Sequence, residues 1–230
     1  MTIINILITA GGTREDIDPV RGITNYATGR LGSLIAEEFI QRGASVTYIC
    51  AETAVRPQLP PQSEQYRSEN LNIITIRNTA QLLEKMEQSL HNKAYNAVIH
   101  SMAVSDYTPY ATSTEKISSK SKYLVVVLEK LPKVIRRVKE IQPNTLLIGF
   151  KLLTGAGESS TNYPDELIRT SHKLMAESHA DYVLANAQED IYDKTHKALL
   201  IGKDGIIERM TSKKEIAEVI LKVVESENKL

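Results

Sequence analysis

Short β-branched runs alternate with amphipathic stretches along almost the whole sequence, and this alternation constrains the fold more than any other feature. The first run, Ile3 to Thr9, ends at Gly11-Gly12. A helical pattern then covers Gly29 to Arg42, closes on Gly43, and leads into a second run, Ser45 to Cys50. A strand, helix, strand unit of this kind pairs its strands in parallel through a right-handed crossover. The alternation continues with a strand at Asn72 to Ile76, a helix at Thr79 to Leu90, a strand at Asn96 to His100, a helix at Pro132 to Ile141 and a strand at Thr145 to Phe150. A helix from Pro164 to about His179 and a strand from Asp181 to Ala185 follow, and Lys197 to Met210 reads as a hairpin turning at Asp204-Gly205. The last helix starts at Ser212, whose spacing to Glu215 is that of a capping box, with Ile216, Val219, Ile220 and Val223 on one face. The expected class is α/β: a single domain over residues 1–230, with a mostly parallel sheet and helices on both faces.

With 230 residues, 42% of them hydrophobic, the chain can bury one large core, and no apolar run approaches the roughly 20 residues that span a bilayer. The N-terminal residues lack the pattern of an export signal, and Cys50 is the sole cysteine, which leaves no intramolecular disulfide and no cysteine-based zinc site in one chain. The expected compartment is the cytoplasm. Lysine plus arginine equal aspartate plus glutamate at 28 each, so no global field draws nucleic acid or an anionic membrane, and neither is expected as a partner. His91, His172, His179 and His196 show no metal-ligand spacing and read as surface groups, so no protein metal site is expected.

The residues that can carry chemistry gather after strand ends. A dinucleotide fingerprint compresses its glycines into one short turn. Here Gly11-Gly12 and Gly29-Arg30-Leu31-Gly32 are split by a long loop, so the strand end and the helix start offer two glycine-rich surfaces, enough for two phosphorylated groups. The exposed N–H groups and dipole of the helix start favour an anion, and Thr28 adds a hydroxyl. Close helix-to-strand packing would call for the same glycines. Ser101 to Tyr107 follows a strand's carboxyl end, the edge where open α/β sheets bind ligands, and Asp106 there can accept from a ribose hydroxyl. A hydrolase built on His100, Ser101, Ser105 and Asp106 is disfavoured, because strand neighbours point to opposite faces. Lys130, Pro132 and Lys133 open the next helix, and Phe150 and Lys151 close the next strand, where Phe150 can stack on a base or fill the core. Cys50 reads as buried filler. Arg56 to Asn70 reads as a surface loop. Tyr107 to Lys122 is irregular and carries Lys116, Lys120 and Lys122, and it reads as a flexible lid over an anion or as a solvated loop.

Ile8 to Glu15, with Asp18-Pro19-Val20-Arg21, Ile23-Thr24-Asn25 and Thr28-Gly29, then Ala103-Val104-Ser105-Asp106-Tyr107, closely resemble the phosphopantothenate-cysteine ligase family. Leu128-Glu129-Lys130 through Pro132, Gly149 to Leu152 and Ala180 to Asn186 extend the likeness over nearly the whole chain. It resembles a stand-alone bacterial form without the flavin-dependent decarboxylase domain, so no flavin is expected. The resemblance implies a Rossmann-like fold and a reaction in two halves. The carboxylate of 4'-phosphopantothenate attacks the α-phosphorus of CTP, pyrophosphate leaves, and L-cysteine displaces CMP from the acyl-cytidylate. Mg2+ is expected to arrive bound to the triphosphate. The likeness implies a nucleotide site of Gly11, Gly12, Met102, Ala103, Asp106, Lys116, Lys130, Pro132, Lys133, Val134 and Phe150, with Lys173 near the place of a family helix lysine. It implies a phosphopantothenate site of Asn25, Thr28, Gly29, Arg30 and Gly32, and catalytic roles for Asn25 and Lys116. The family's Lys-x-Lys-Lys in the lid stands here as Lys116-Ile117-Ser118-Ser119-Lys120, so Lys116 alone carries over. Asn25 would donate to the acyl carbonyl and to the oxyanion formed when cysteine attacks; capping the helix near Gly29 is its other reading. ATP in place of CTP stays open.

An NAD(P)-dependent oxidoreductase would share the strand-Gly-Gly-helix opening and could use Glu52 as its ribose acid, but the compact glycine turn is missing and no Tyr-x-x-x-Lys pair exists. A non-catalytic nucleotide-binding module would account for the phosphate loops and not for Asn25 and Lys116. The apolar run Tyr123 to Leu128 reads as a strand whose open edge would invite pairing, and the family likeness implies a homodimer joined near it.

Overall fold

A computed structural model describes residues 4–58, 70–154, 163–191 and 195–229. In chain order the elements are β1 (Asn5–Ala10), β2 (Arg14–Asp16), β3 (Gly22–Thr24), α1 (Arg30–Gln41), β4 (Ser45–Ala51), β5 (Leu71–Ile76), α2 (Thr79–Asn92), β6 (Ala97–His100), β7 (Tyr107–Pro109) and β8 (Leu128–Lys130). There follow α3 (Arg136–Ile141), β9 (Leu146–Leu153), α4 (Tyr163–Ser178), β10 (Tyr182–Ala187), β11 (Ala198–Gly202), β12 (Gly205–Met210) and α5 (Lys213–Glu227). Eight strands form one sheet in the order β12-β11-β10-β9-β6-β1-β4-β5. The six from β5 to β10 along that order run parallel, and β11 and β12 extend it antiparallel. The fold is Rossmann-like.

Both faces of the sheet are covered, which is why its central strands read as continuous apolar runs rather than as alternation. Ile6, Ile8 and Ile99 meet α1 and α5 on one face, whereas Leu7, Val98 and Leu147 meet α2, α3 and α4 on the other. Ser212 caps α5 as its spacing predicts: its Oγ accepts the Glu215 N–H at 3.2 Å, while the Glu215 carboxylate reaches back to the N–H of Thr211 at 2.7 Å. The last hairpin turns at Asp204-Gly205, with φ +115° at the glycine.

Four details differ from the sequence reading. The loop between Gly12 and Gly29 holds a small hairpin, β2 paired with β3, too short to show an alternating pattern. The helix expected from Pro132 begins at Arg136, because Arg136 and Arg137 donate to Lys133 and Val134 in tight i to i+3 turns first. Tyr107 to Pro109, expected to be irregular, pair with Leu128 to Lys130. The Tyr123 to Leu128 run is not a strand: of its residues Leu128 joins the ladder and Val127 accepts one bond from the Tyr110 N–H, while Tyr123 and Val125 stand 76% and 84% exposed. Most of the Arg56 to Asn70 loop, residues 59–69, lies outside the described residues. Among those described, no helix is long and apolar enough to cross a membrane.

Candidate functional site

The chain leaves β1 toward α1, β4 and β5, then returns through α2 to β6 on the other side of β1. Connections that diverge in this way open a crevice above the carboxyl ends of the two central strands, the place where open α/β sheets bind ligands. Hydrogen bonds hold the crevice floor together past the strand ends. Ala103 N–H donates to Gly11 at 2.8 Å, Thr13 N–H donates to Ala103 at 3.2 Å, and Ser105 N–H donates to the Thr13 hydroxyl at 2.9 Å. A cavity of about 520 Å³ occupies this position. Tyr26 to Gly32 form one wall, His100 to Asp106 the floor, Pro132 to Ile135 the opposite wall, and Phe150 to Leu152 the end of β9.

The wall at α1 depends on glycine. Gly29 is the residue before the helix, at φ +73°, a conformation that side chains disfavour, and as the N-cap it brings no side chain to the helix start. The first helical amides therefore open onto the cavity beside Thr28, whose hydroxyl lies 3.4 Å from the Arg30 N–H. Gly12 serves a different purpose: a Cβ there would come within 2.5 Å of the Asn25 carbonyl oxygen, so only glycine lets the Asn25 backbone lie against the end of β1. Asn25 does not cap α1. Its exposed side-chain amide donates to the Val104 carbonyl at 3.2 Å, which fixes it over the β6 loop at the margin of the cavity.

Of the residues singled out in the sequence, Gly11, Thr28, Gly29, Arg30, Gly32, Met102, Ala103, Asp106, Pro132, Lys133, Val134 and Phe150 line the cavity. Asn25, Gly12, Lys116, Lys130 and Lys173 do not. Lys130 lies exposed on β8 beside Tyr107, and Lys173 is on the solvent side of α4. Asp106 carries an ion pair from Lys133, so two residues proposed for one ligand neutralise each other across its entrance. Lys116 sits one residue before a latch. The carboxylate of Asp18 accepts the N–H groups of Val20 at 2.9 Å, Arg21 at 2.8 Å and Ile117 at 3.2 Å, and the Arg21 guanidinium bridges from Asp18 to the Ile117 carbonyl. Burial works against the ionised Asp18 carboxyl, but those N–H groups and the Arg21 charge hold it below the usual carboxylate range. The conspicuous Asp18-Pro19-Val20-Arg21 segment thus ties the chain at Ile117 to the loop of the β2–β3 hairpin.

The far end of the cavity escaped the sequence reading. Asn186, Ile191, His196 and Lys213 complete it. His196 corrects the expectation of a surface histidine: it is buried, neither ring nitrogen has a hydrogen-bond partner among the described residues, and burial, helped by the Lys213 charge, pushes its imidazole down to about 4. His172, expected at the surface, is half-buried on α4 and lies 3.2 Å from the Gly202 carbonyl, whereas His179 is exposed as expected but stands one residue beyond the end of α4. Cys50 is buried, and burial raises its thiol, the state of an inert core residue. Among the described residues, no three His, Cys, Asp or Glu side chains gather to hold a metal ion.

Known proteins resemble this chain over nearly its whole length. Residues 1–227 match the profile of the DNA/pantothenate metabolism flavoprotein C-terminal domain. The coenzyme A biosynthesis bifunctional protein CoaBC of Thermococcus kodakarensis is 39% identical over 215 residues, which are 93% of this chain and 49% of that protein. The chain spans about half the length of the curated relatives it matches. The crystal structure of a DNA/pantothenate metabolism flavoprotein from Streptococcus pneumoniae superposes with a TM-score of 0.83 at 35% identity, covering 97% of this chain and 99% of that one. The crystal structure of the C-terminal domain of a CoaBC protein gives 0.71 at 30% identity, covering 97% and 94%. A profile match over nearly every residue, and a shared fold at this identity, lead to one conclusion: the chain belongs to the DNA/pantothenate metabolism flavoprotein C-terminal domain family.

Proposed function

We propose that this chain is a phosphopantothenate-cysteine ligase of coenzyme A biosynthesis, working in the cytoplasm with CTP. The carrying observation is the cavity at the β1/β6 switch point, which joins an uncapped helix start to a separate wall of Pro132 to Ile135. Two phosphorylated molecules fit such a site better than one dinucleotide, since the β2–β3 hairpin splits the glycine turn that a dinucleotide needs. In this reading the α1 start, with Thr28 and Arg30, takes the phosphate of 4'-phosphopantothenate, and Met102, Asp106, Lys133, Val134 and Phe150 surround the nucleotide. A substrate carboxylate oxygen bonds to the α-phosphorus as the α–β phosphoanhydride breaks, so pyrophosphate leaves with its Mg2+. The amine of L-cysteine then attacks the acyl carbon, CMP leaves, and one proton is released.

Asn25 is the donor assigned to the acyl oxygen. Its freedom from any capping duty supports that role, because the amide is held by a single bond to Val104 that a ligand could replace. Lys116 would neutralise phosphate charge as the lid closes. The exposed run Tyr123 to Leu128 supports a homodimer, since monomeric proteins seldom leave so much contiguous apolar surface open. Pyrophosphate release tests the function. CTP with phosphopantothenate should yield it without cysteine, amide should appear once cysteine is added, and ATP in the same assay settles the nucleotide. Hydride transfer from a nicotinamide cofactor, with no pyrophosphate from any nucleotide, would overturn the proposal.

A further inference from the structure

His100 closes β6 with its ring almost wholly buried, at 7% exposure, and its Nδ1 lies 2.9 Å from the Thr9 hydroxyl oxygen. The two residues are register partners on β6 and β1. Thr9 is itself fully buried, and its hydroxyl oxygen accepts the Met102 N–H at 3.4 Å. A buried hydroxyl must place its own hydrogen on an acceptor, and among the described residues the one within reach is Nδ1 of His100. Nδ1 is therefore the acceptor, and the neutral ring carries its proton on Nε2. Burial pushes the imidazole down to about 4, so it takes up no second proton near neutral pH. Nε2 has no partner among the described residues, yet it is not one of the sealed unpaired atoms, and His100 is part of the cavity floor.

We infer that the Nε2–H of His100 reads the nucleobase: it donates a hydrogen bond to a carbonyl oxygen or ring nitrogen on the base of the nucleotide bound in this cavity. The inference rests on the ligase reading above and adds a specificity group to it. Two observations select the base over the other groups a ligase must hold. Met102, Val134 and Ile135, which line the same cavity as His100, are apolar and buried, which suits a flat neutral ring and penalises a phosphate. They also lie on the sheet face covered by α2, α3 and α4, whereas the α1 start assigned to phosphopantothenate belongs to the opposite face.

Nitrogen-15 histidine spectra of the full chain test this. The His100 signals, identified by their loss in His100→Phe, should show the tautomer protonated at Nε2. CTP or ATP should shift that proton, and inorganic pyrophosphate or phosphopantothenate alone should leave it in place. An Nδ1-protonated ring would overturn the inference, as would a nucleotide that binds without moving the signal, or phosphopantothenate alone moving it. Calorimetry separates the two levels of the argument: if neither CTP nor ATP binds, the ligase reading falls with this one, whereas binding without a His100 response removes only the donor. His100→Phe keeps an aromatic ring without the N–H, and it should weaken nucleotide binding roughly tenfold while pyrophosphate affinity is unchanged. Equal nucleotide affinity would overturn it.

Discussion

Acidification from pH 7 to pH 5 should destabilise this protein by about 4 kcal/mol, well before its ion-paired carboxylates begin to protonate. Burial pushes His100 to about 4, and burial with the Lys213 charge does the same for His196, whereas an unfolded histidine titrates near 6.5. Because both folded values lie below the unfolded one, the unfolded chain takes up protons first. Stability is therefore complete above pH 6.5, falls as the pH drops through the window from 6.5 to 4, and loses nothing more from these groups below it. At pH 5 the unfolded imidazole is almost fully protonated and the folded one only about one-tenth, so each histidine costs about 2 kcal/mol relative to pH 7. Asp16, held low chiefly by its hydrogen bonds from Arg77, makes its loss at more acid pH, so the histidine window stands apart. Against a total stability of roughly 5–15 kcal/mol the effect is large. Urea unfolding at half-unit steps from pH 7.5 to 5 measures it, and the double variant His100→Gln with His196→Gln should flatten the curve while retaining the fold. A double variant with the wild-type slope, or a wild-type loss below about 1 kcal/mol, would refute the reasoning.

Three further outcomes are expected. Asn25→Ala should fold and bind CTP normally but slow amide formation by about 10²- to 10³-fold, the usual cost of one oxyanion donor; a lowered melting temperature with near-normal turnover would place Asn25 among the structural residues. Lys116→Gln should depress turnover far more than Lys122→Gln, and substrates should protect residues 107–122 from proteolysis in the wild type but less so in Asp18→Asn, whose latch on Ile117 is weakened; equal turnover of the two lysine variants would remove the lid from the reaction. Sedimentation at micromolar concentration should give a dimer, and Val125→Glu a monomer; a monomeric wild type would leave the exposed apolar run without the proposed partner.

The legible parts of the fold were those that physics repeats along the chain. A strand covered on both faces is apolar along most of its length, so Ile6 to Ile8 and Ala97 to Ile99 announce themselves, and Ser212 with Glu215 marks a helix start by chemistry local to four residues. The β2–β3 hairpin carries no such signal: Arg14, Glu15 and Asp16 are not a strand by pattern, and they become one as Arg77 clamps Asp16 at 2.7 Å while Glu15 accepts the N–H and the hydroxyl of Thr79 at the start of α2. Tyr123 to Leu128 failed in the other direction. Its β propensity is high, but among the described residues the ladder with β7 stops at Leu128, with one further bond from the Tyr110 N–H to the Val127 carbonyl, and propensity without a partner does not fix a strand.

The site divides along the same line. Residues that follow strand ends, such as Gly11, Met102 and Asp106, could be placed because the carboxyl edge of a parallel sheet gathers whatever comes after each strand, however far apart in sequence. His196 and Lys213 reach the cavity by another route. The two antiparallel strands added after β10 fold the chain back, so that residues from the start of β11 and of α5 close the far end. A spacing argument that counts histidines along a helix cannot see this, since the bend that buries His196 is set by pairing of Ile191 with His196 and by the His196 N–H bond to Thr211 at 2.9 Å. The consequence bears on binding. The cavity's near wall is fixed by glycines, one buried, uncharged imidazole, His100, lies in its floor and another, His196, at its far end, and Arg30, Lys133, Lys151 and Lys213 supply the positive charge along its lining. In the proposed reaction, phosphates would be drawn to those cations while neutral ring and amide groups settle against the buried imidazoles, which would leave the acyl carbon between the two regions for the Asn25 amide held over Val104 at the cavity margin.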